Sequence, residues 1–106
     1  MSRRSEPDSE ILHRFPLRGP TALCEAVEGG AVALQLQTGD YYELSATGLF
    51  VWEECGGEAD GYRIATRLAA AYGATRAAAE ADTAAFLREL MDSQLLVLLH
   101  EPRPAG

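Results

Sequence analysis

The sequence predicts an α+β fold in which a three-stranded antiparallel sheet precedes three helices, with room for a strand at the C-terminal end. Two observations carry this. The hydrophobic period is 2 before residue 45 and close to 3.6 after it. Two Gly-containing turns, Glu28-Gly29-Gly30 and Thr38-Gly39-Asp40, divide the first part into short extended segments.

Residues 1–10 are charged and contain Pro7, and read as an unstructured tail ahead of a domain spanning residues 11–99. Residues 11–20 read as an extended lead-in anchored by Ile11, Leu12, Phe15 and Leu17. Thr21 to Val27 is the first strand. Ala31 to Gln37 is the second, with Val32, Leu34 and Leu36 on one face, and Tyr41 to Leu44 is a short aromatic third. Two tight turns in sequence make a meander, which leaves the third strand at an edge with unpaired N–H and C=O groups.

Ser45 is a good N-cap for a helix containing Leu49, Phe50, Val51 and Trp52 that stops at Gly56-Gly57. Asp60 caps a second, with Ile64, Ala65, Leu68, Ala69 and Tyr72 as its apolar stripe and Gly73 at its end. Thr75 caps a third, ending near Ser93, with Phe86, Leu87, Leu90 and Met91 inward. Leu95 to Leu99 follows as a strand or apolar extension, and residues 100–106 are a polar tail.

The 106 residues carry a formal net charge of -7, and all nine basic residues are Arg. That balance disfavours nucleic acid and anionic membranes as partners. No apolar run is long enough to cross a bilayer and no signal peptide is visible, so the expected location is cytoplasmic. Cys24 and Cys55 are expected to be reduced and buried. His13 and His100 have no metal-ligand spacing, the Gly pairs lack a phosphate loop's Lys, and Glu53-Glu54 reads as solvated charge. No cofactor and no catalytic role are expected.

The run Gly39-Asp40-Tyr41-Tyr42-Glu43-Leu44-Ser45-Ala46-Thr47-Gly48, leading into Phe50-Val51-Trp52, resembles the PqqD-like family. These proteins are also called RiPP precursor-peptide recognition elements, and include the stand-alone B1 proteins of lasso-peptide pathways. The matching residues are Gly39, Tyr41, Tyr42, Leu44, Thr47, Gly48, Val51 and Trp52. Ile64-Ala65, Leu68, Tyr72-Gly73, Glu80, Asp82, Phe86, Leu87 and Leu90 extend the likeness over roughly residues 20–97. The chain departs from the pattern at Ser45 (usually Asn), at Gln94 (commonly Gly), and in the apolar run that continues to Leu99.

The resemblance implies a winged-helix-like domain that binds the leader of a ribosomally made precursor peptide and delivers it to a modifying enzyme or leader peptidase. The edge strand suits that role, because an extended peptide can add to it as a further strand. The expected contact residues are Asp40, Tyr41, Tyr42, Glu43 and Leu44 on the strand. Asp82, Phe86 and Glu89 join them from one face of the third helix. Tyr42, Leu44 and Trp52 are expected to face the core. Two other readings stay open from the residues: an acidic adaptor or oligomeric scaffold, and a winged-helix DNA-binding module. The exposed edge and the apolar end can each support a homodimer.

Overall fold

The computed structural model describes residues 7–104. The chain runs α1 (Asp8–Leu12), β1 (Phe15–Arg18), β2 (Ala22–Val27), β3 (Gly30–Gln35), β4 (Tyr41–Ser45), α2 (Ala46–Glu53), α3 (Gly61–Tyr72), α4 (Arg76–Asp92), β5 (Leu96–Leu99). Strands β2, β3 and β4 form the expected antiparallel meander, in that order.

All three expected N-caps close their helices. The Ser45 hydroxyl accepts the Gly48 N–H at 3.1 Å, the Asp60 carboxylate accepts Arg63 N–H at 2.8 Å, and the Thr75 hydroxyl accepts Ala78 N–H at 3.1 Å. Gly73 ends α3 in the left-handed conformation at φ 66°.

The N-terminal part differs from the sequence expectation. Residues 8–10, assigned to a tail, belong to α1, whose Ile11 and Leu12 are buried. Residues 1–6 of that expected tail lie outside the described residues, as do 105 and 106. The lead-in is β1, which pairs antiparallel with β5, Phe15 opposite Leu99 and Arg18 opposite Leu96. The Leu95–Leu99 run is thus the second strand of a small separate sheet, with Leu95 and Leu96 in the core. An ion pair at 2.7 Å from Arg88 to Asp8 fastens α1 to α4. Arg18 donates to the Trp52 and Glu53 carbonyls at 2.7 and 3.0 Å, satisfying the C-terminal end of α2.

The main core lies between the β2–β3–β4 sheet and the helices, around Val51, Trp52, Cys55, Ile64, Leu68, Leu87, Leu90 and Leu95. On β3 the small residues Ala31 and Ala33 and the amide Gln35 face inward, while Val32 and Leu34 face out. Leu34 lies in a cross-strand row with Leu23 and Tyr41 on the outer face of the sheet. Small inward residues let the strands and helices approach closely. A Cβ on Gly30 would overlap the Leu44 carbonyl of the neighbouring strand. Tyr72, expected in the α3 stripe, is half exposed and packs edge-on against Phe50. Among the described residues no helix is long and apolar enough to cross a membrane.

Both cysteines are free. Burial pushes the Cys55 thiol from its ordinary 9.0 up to about 12, against an opposing pull from Arg18. Its S–H donates to the Val51 carbonyl at 3.1 Å. From pH 9 upward the unfolded chain releases this proton while the folded chain keeps it, so alkali favours unfolding. Urea denaturation at pH 7.5, 9 and 10.5 will show wild type losing about 1.4 kcal/mol per pH unit above pH 9 more than Cys55→Ala.

Gln94 sits at φ 60°, in the left-handed region, as the only non-Gly described residue with a positive φ. The turn into β5 therefore keeps a glycine-favouring backbone without a glycine. Gln94→Gly is expected to raise stability by about 0.5–1 kcal/mol, relief of backbone strain exceeding the added unfolded-state entropy, as read by thermal denaturation.

Candidate functional site

The direction of each backbone group on β4 follows from one hydrogen bond. Gln35 N–H donates to the Asp40 carbonyl at 2.9 Å, which makes residues 35 and 40 a hydrogen-bonded pair. Antiparallel pairs alternate between bonded and non-bonded types. With Ala33 opposite Tyr42 and Ala31 opposite Leu44, those two pairs are bonded, so Tyr42 and Leu44 spend their backbone groups on β3. Tyr41 and Glu43 stand in the other class, and their N–H and C=O groups point away from the sheet. On that side β4 has no strand partner among the described residues.

This open edge faces a cavity of about 410 Å3 whose other wall is the C-terminal part of α4. Its lining comprises Tyr41, Tyr42, Glu43 and Leu44 from the strand and Glu89, Leu90, Asp92 and Ser93 from the helix side. Tyr42 and Leu44 pack against the core as expected and form the apolar floor. The Tyr41 side chain, 69% exposed, lies on the outer face.

The other expected residues lie elsewhere. The Asp40 carbonyl closes the β3–β4 turn, and its N–H donates to the Thr38 hydroxyl at 3.2 Å. Asp82 is exposed two turns up α4 from Glu89 and does not line the cavity. Phe86 does not line it either. Its ring packs against the core, with Cε1 3.1 Å from where a Cβ on Gly48 would stand. Gly48 thus makes room for that ring. Sequence reasoning missed Leu90, Asp92 and Ser93. Positions 92 and 93 follow Glu89 at i+3 and i+4, the helical spacing that would have found them.

One residue positions both walls. Gln35 is 1% exposed and buried beneath the sheet. Its Nε2 donates to the Gln94 carbonyl at 2.6 Å, just past α4, and its Oε1 accepts the Gln37 N–H at 3.0 Å. Its own backbone carbonyl accepts Gly39 N–H at 2.8 Å, inside the turn that starts β4.

A larger cavity of about 700 Å3 lies between α4 and β5, lined by Arg14, Met91, Asp92, Gln94 and Leu96–Leu98. Here too a strand edge is open, but Arg14 already reaches the Leu98 carbonyl at 3.4 Å. A charged side chain laid over an edge blunts it for pairing. Among the described residues no three His, Cys, Asp or Glu side chains gather as metal ligands.

The sequence model of the family described as Coenzyme PQQ synthesis protein D (PqqD) matches residues 30–96, more than half of the chain. The chain belongs to the PqqD family. The matched segment holds β3, β4, all three longer helices and the whole cavity lining. Among solved structures, the chain is similar to one described as "TbiB1 in Complex with the TbiA(beta) Leader Peptide". The two are 29% identical, with a TM-score of 0.68, covering 76% of this chain and 93% of that one. It shares its fold with "Lasso peptide synthetase B1 complexed with the leader peptide", at 22% identity and a TM-score of 0.69, covering 78% of this chain and 98% of that one. No curated protein matches the chain.

Gln35→Leu keeps the volume but removes the bonds to Gln94 and Gln37 and leaves buried partners unpaired. A loss of about 1–3 kcal/mol is expected in chemical denaturation, with faster amide exchange in the turn at residues 36–40.

Proposed function

We propose that this protein is a non-catalytic recognition element that binds the leader region of a ribosomally made precursor peptide, of the lasso-peptide kind, as a strand added to β4. The observation that carries the reading is the outward aim of the Tyr41 and Glu43 backbone groups into a cavity walled by α4. Main-chain bonds to those groups supply affinity with little dependence on sequence, and the cavity receives alternate side chains of the bound strand. Family membership and the likeness to TbiB1, whose solved structure is a complex with a leader peptide, support the leader-binding role.

Recognition by strand addition needs no catalytic group in this chain, so the chemistry falls to a modifying enzyme or leader peptidase of the same pathway. The bound leader would bring the precursor to that enzyme in the cytoplasm. On β4, Tyr41, Tyr42, Glu43 and Leu44 form the binding strand and Glu89 faces it from α4. Asp40 sets the strand's start, Phe86 supports the groove through Gly48 and the core, and Asp82 extends the acidic face of α4.

Proline scanning separates the edge from the fold. Tyr41→Pro removes an N–H that points outward and is tolerated at an edge, so the variant folds and loses peptide binding. Tyr42→Pro removes a bond to β3 and destabilises the sheet itself. Fluorescence anisotropy with labelled leaders encoded beside the gene, alongside circular dichroism, checks both. A folded Tyr41→Pro protein that binds a leader as wild type does would refute strand addition.

A further inference from the structure

Resting on that reading, we infer that the bound strand is read on both faces of the sheet, and that the Tyr41 side chain selects an apolar residue directly opposite it on the outer face. The row Leu23–Leu34–Tyr41 takes one residue from each strand of the meander. It faces away from the core, which lies between the sheet and the helices. Leu23 is 56% exposed and Tyr41 69%, with Leu34 half-buried between them. An exposed apolar patch of this kind marks an interaction surface. The row ends at Tyr41 because β4 is the edge strand, the same edge that the bound peptide extends.

Strand geometry determines what continues the row. Directly opposed residues of neighbouring strands put their side chains on the same face of a sheet. A strand added to β4 therefore sets one side chain beside Tyr41, as the fourth member of the row. The residues before and after it turn to the other face, over Tyr42, Leu44 and Leu90 in the cavity. The accepted segment thus has an outward apolar residue flanked by inward apolar ones, where a groove read on one face only would select strict alternation of apolar and polar. Aromatic and β-branched residues suit the position best, because their cross-strand pairs with an aromatic ring are the favourable ones. A second copy laid face to face fits poorly. The neighbouring row Glu25–Val32–Glu43 has a carboxylate on each outer strand, and the chain carries a net charge of -7. An added strand extends the row sideways and brings no second set of carboxylates over it.

The test uses the full chain, immobilised, and a displayed library of random twelve-residue peptides. Wild-type binders are expected to align with an aromatic or β-branched residue between two inward apolar positions. Selection on Tyr41→Arg is expected to replace that one residue with Asp or Glu while the inward positions stay apolar, which identifies it as the residue opposite position 41. For one wild-type binder, made synthetically and fluorescein-labelled, Tyr41→Thr weakens binding about 2–5-fold and Tyr41→Phe leaves it unchanged. Replacing the opposed peptide residue by Ala costs a similar amount, and the two changes together cost no more than either alone. An outward position without apolar preference, or one that Tyr41→Arg leaves unchanged, would overturn the inference and leave peptide recognition standing. So would a Tyr41→Thr variant whose sedimentation mass changes while its selected peptides do not, since the row would then serve contacts between copies. A library yielding no binders on wild type would overturn peptide recognition itself, and this inference with it.

Discussion

The buried amide of Gln35 holds together the two parts that make the site. Its side chain reaches the carbonyl of Gln94 at the end of α4, and its backbone closes the turn that launches β4. A polar side chain in that position is costly unless both ends of the amide are bonded, and both are. An apolar residue would fill the space but leave helix and strand free to shift against each other. The width of the cavity between β4 and α4 is thus set by directed bonds, with shape-tolerant packing around them. Gln94 adopts a strained backbone at this junction, and the strain is held by the same contact.

Fixing the walls matters because an edge strand is an indiscriminate acceptor. Any extended chain can pair with exposed N–H and C=O groups, and proteins usually cover or twist such edges. Here the β5 edge is overlaid by Arg14, while the β4 edge opens toward a helix. On the proposed reading, the helix turns a general acceptor into a selective one by limiting which side chains fit beneath it. Labour along β4 divides by parity. Tyr42 and Leu44 give their backbone to the sheet and their side chains to the floor, while Tyr41 and Glu43 keep their backbone available.

Much of this was legible from residue order. Ser45, Asp60 and Thr75 announce their helices because capping is a local interaction that the hydroxyl or carboxylate completes within three residues. The Gly29 and Gly39 turns announce the meander for the same reason, and the edge at Tyr41–Leu44 follows from it. The β1–β5 sheet was hidden. It joins segments about eighty residues apart, β1 is four residues long with Pro16 in the middle, and neither strand alternates clearly. On β3 the larger residues Val32 and Leu34 look like a core face, yet Ala31, Ala33 and Gln35 take it because close packing there favours small side chains. Phe86 could be placed on the correct helix from sequence but not relative to the cavity, since its seat depends on the space left by Gly48 on another element. Asp92 and Ser93 share a helical face with Glu89 and were within reach of the sequence, whereas Leu90 became visible as lining only once the end of α4 was placed beside β4.

The central claim is that Tyr41 and Glu43 offer their backbone to an added strand. Amide hydrogen exchange measured by nuclear magnetic resonance, with and without a saturating leader peptide, addresses it residue by residue. The free protein is expected to protect the Tyr42 and Leu44 amides and to exchange those of Tyr41 and Glu43 quickly. Bound peptide is expected to slow Tyr41 and Glu43 selectively. If a peptide binds at saturation and those two amides exchange as fast as before, recognition occurs elsewhere on the molecule and strand addition to β4 is wrong.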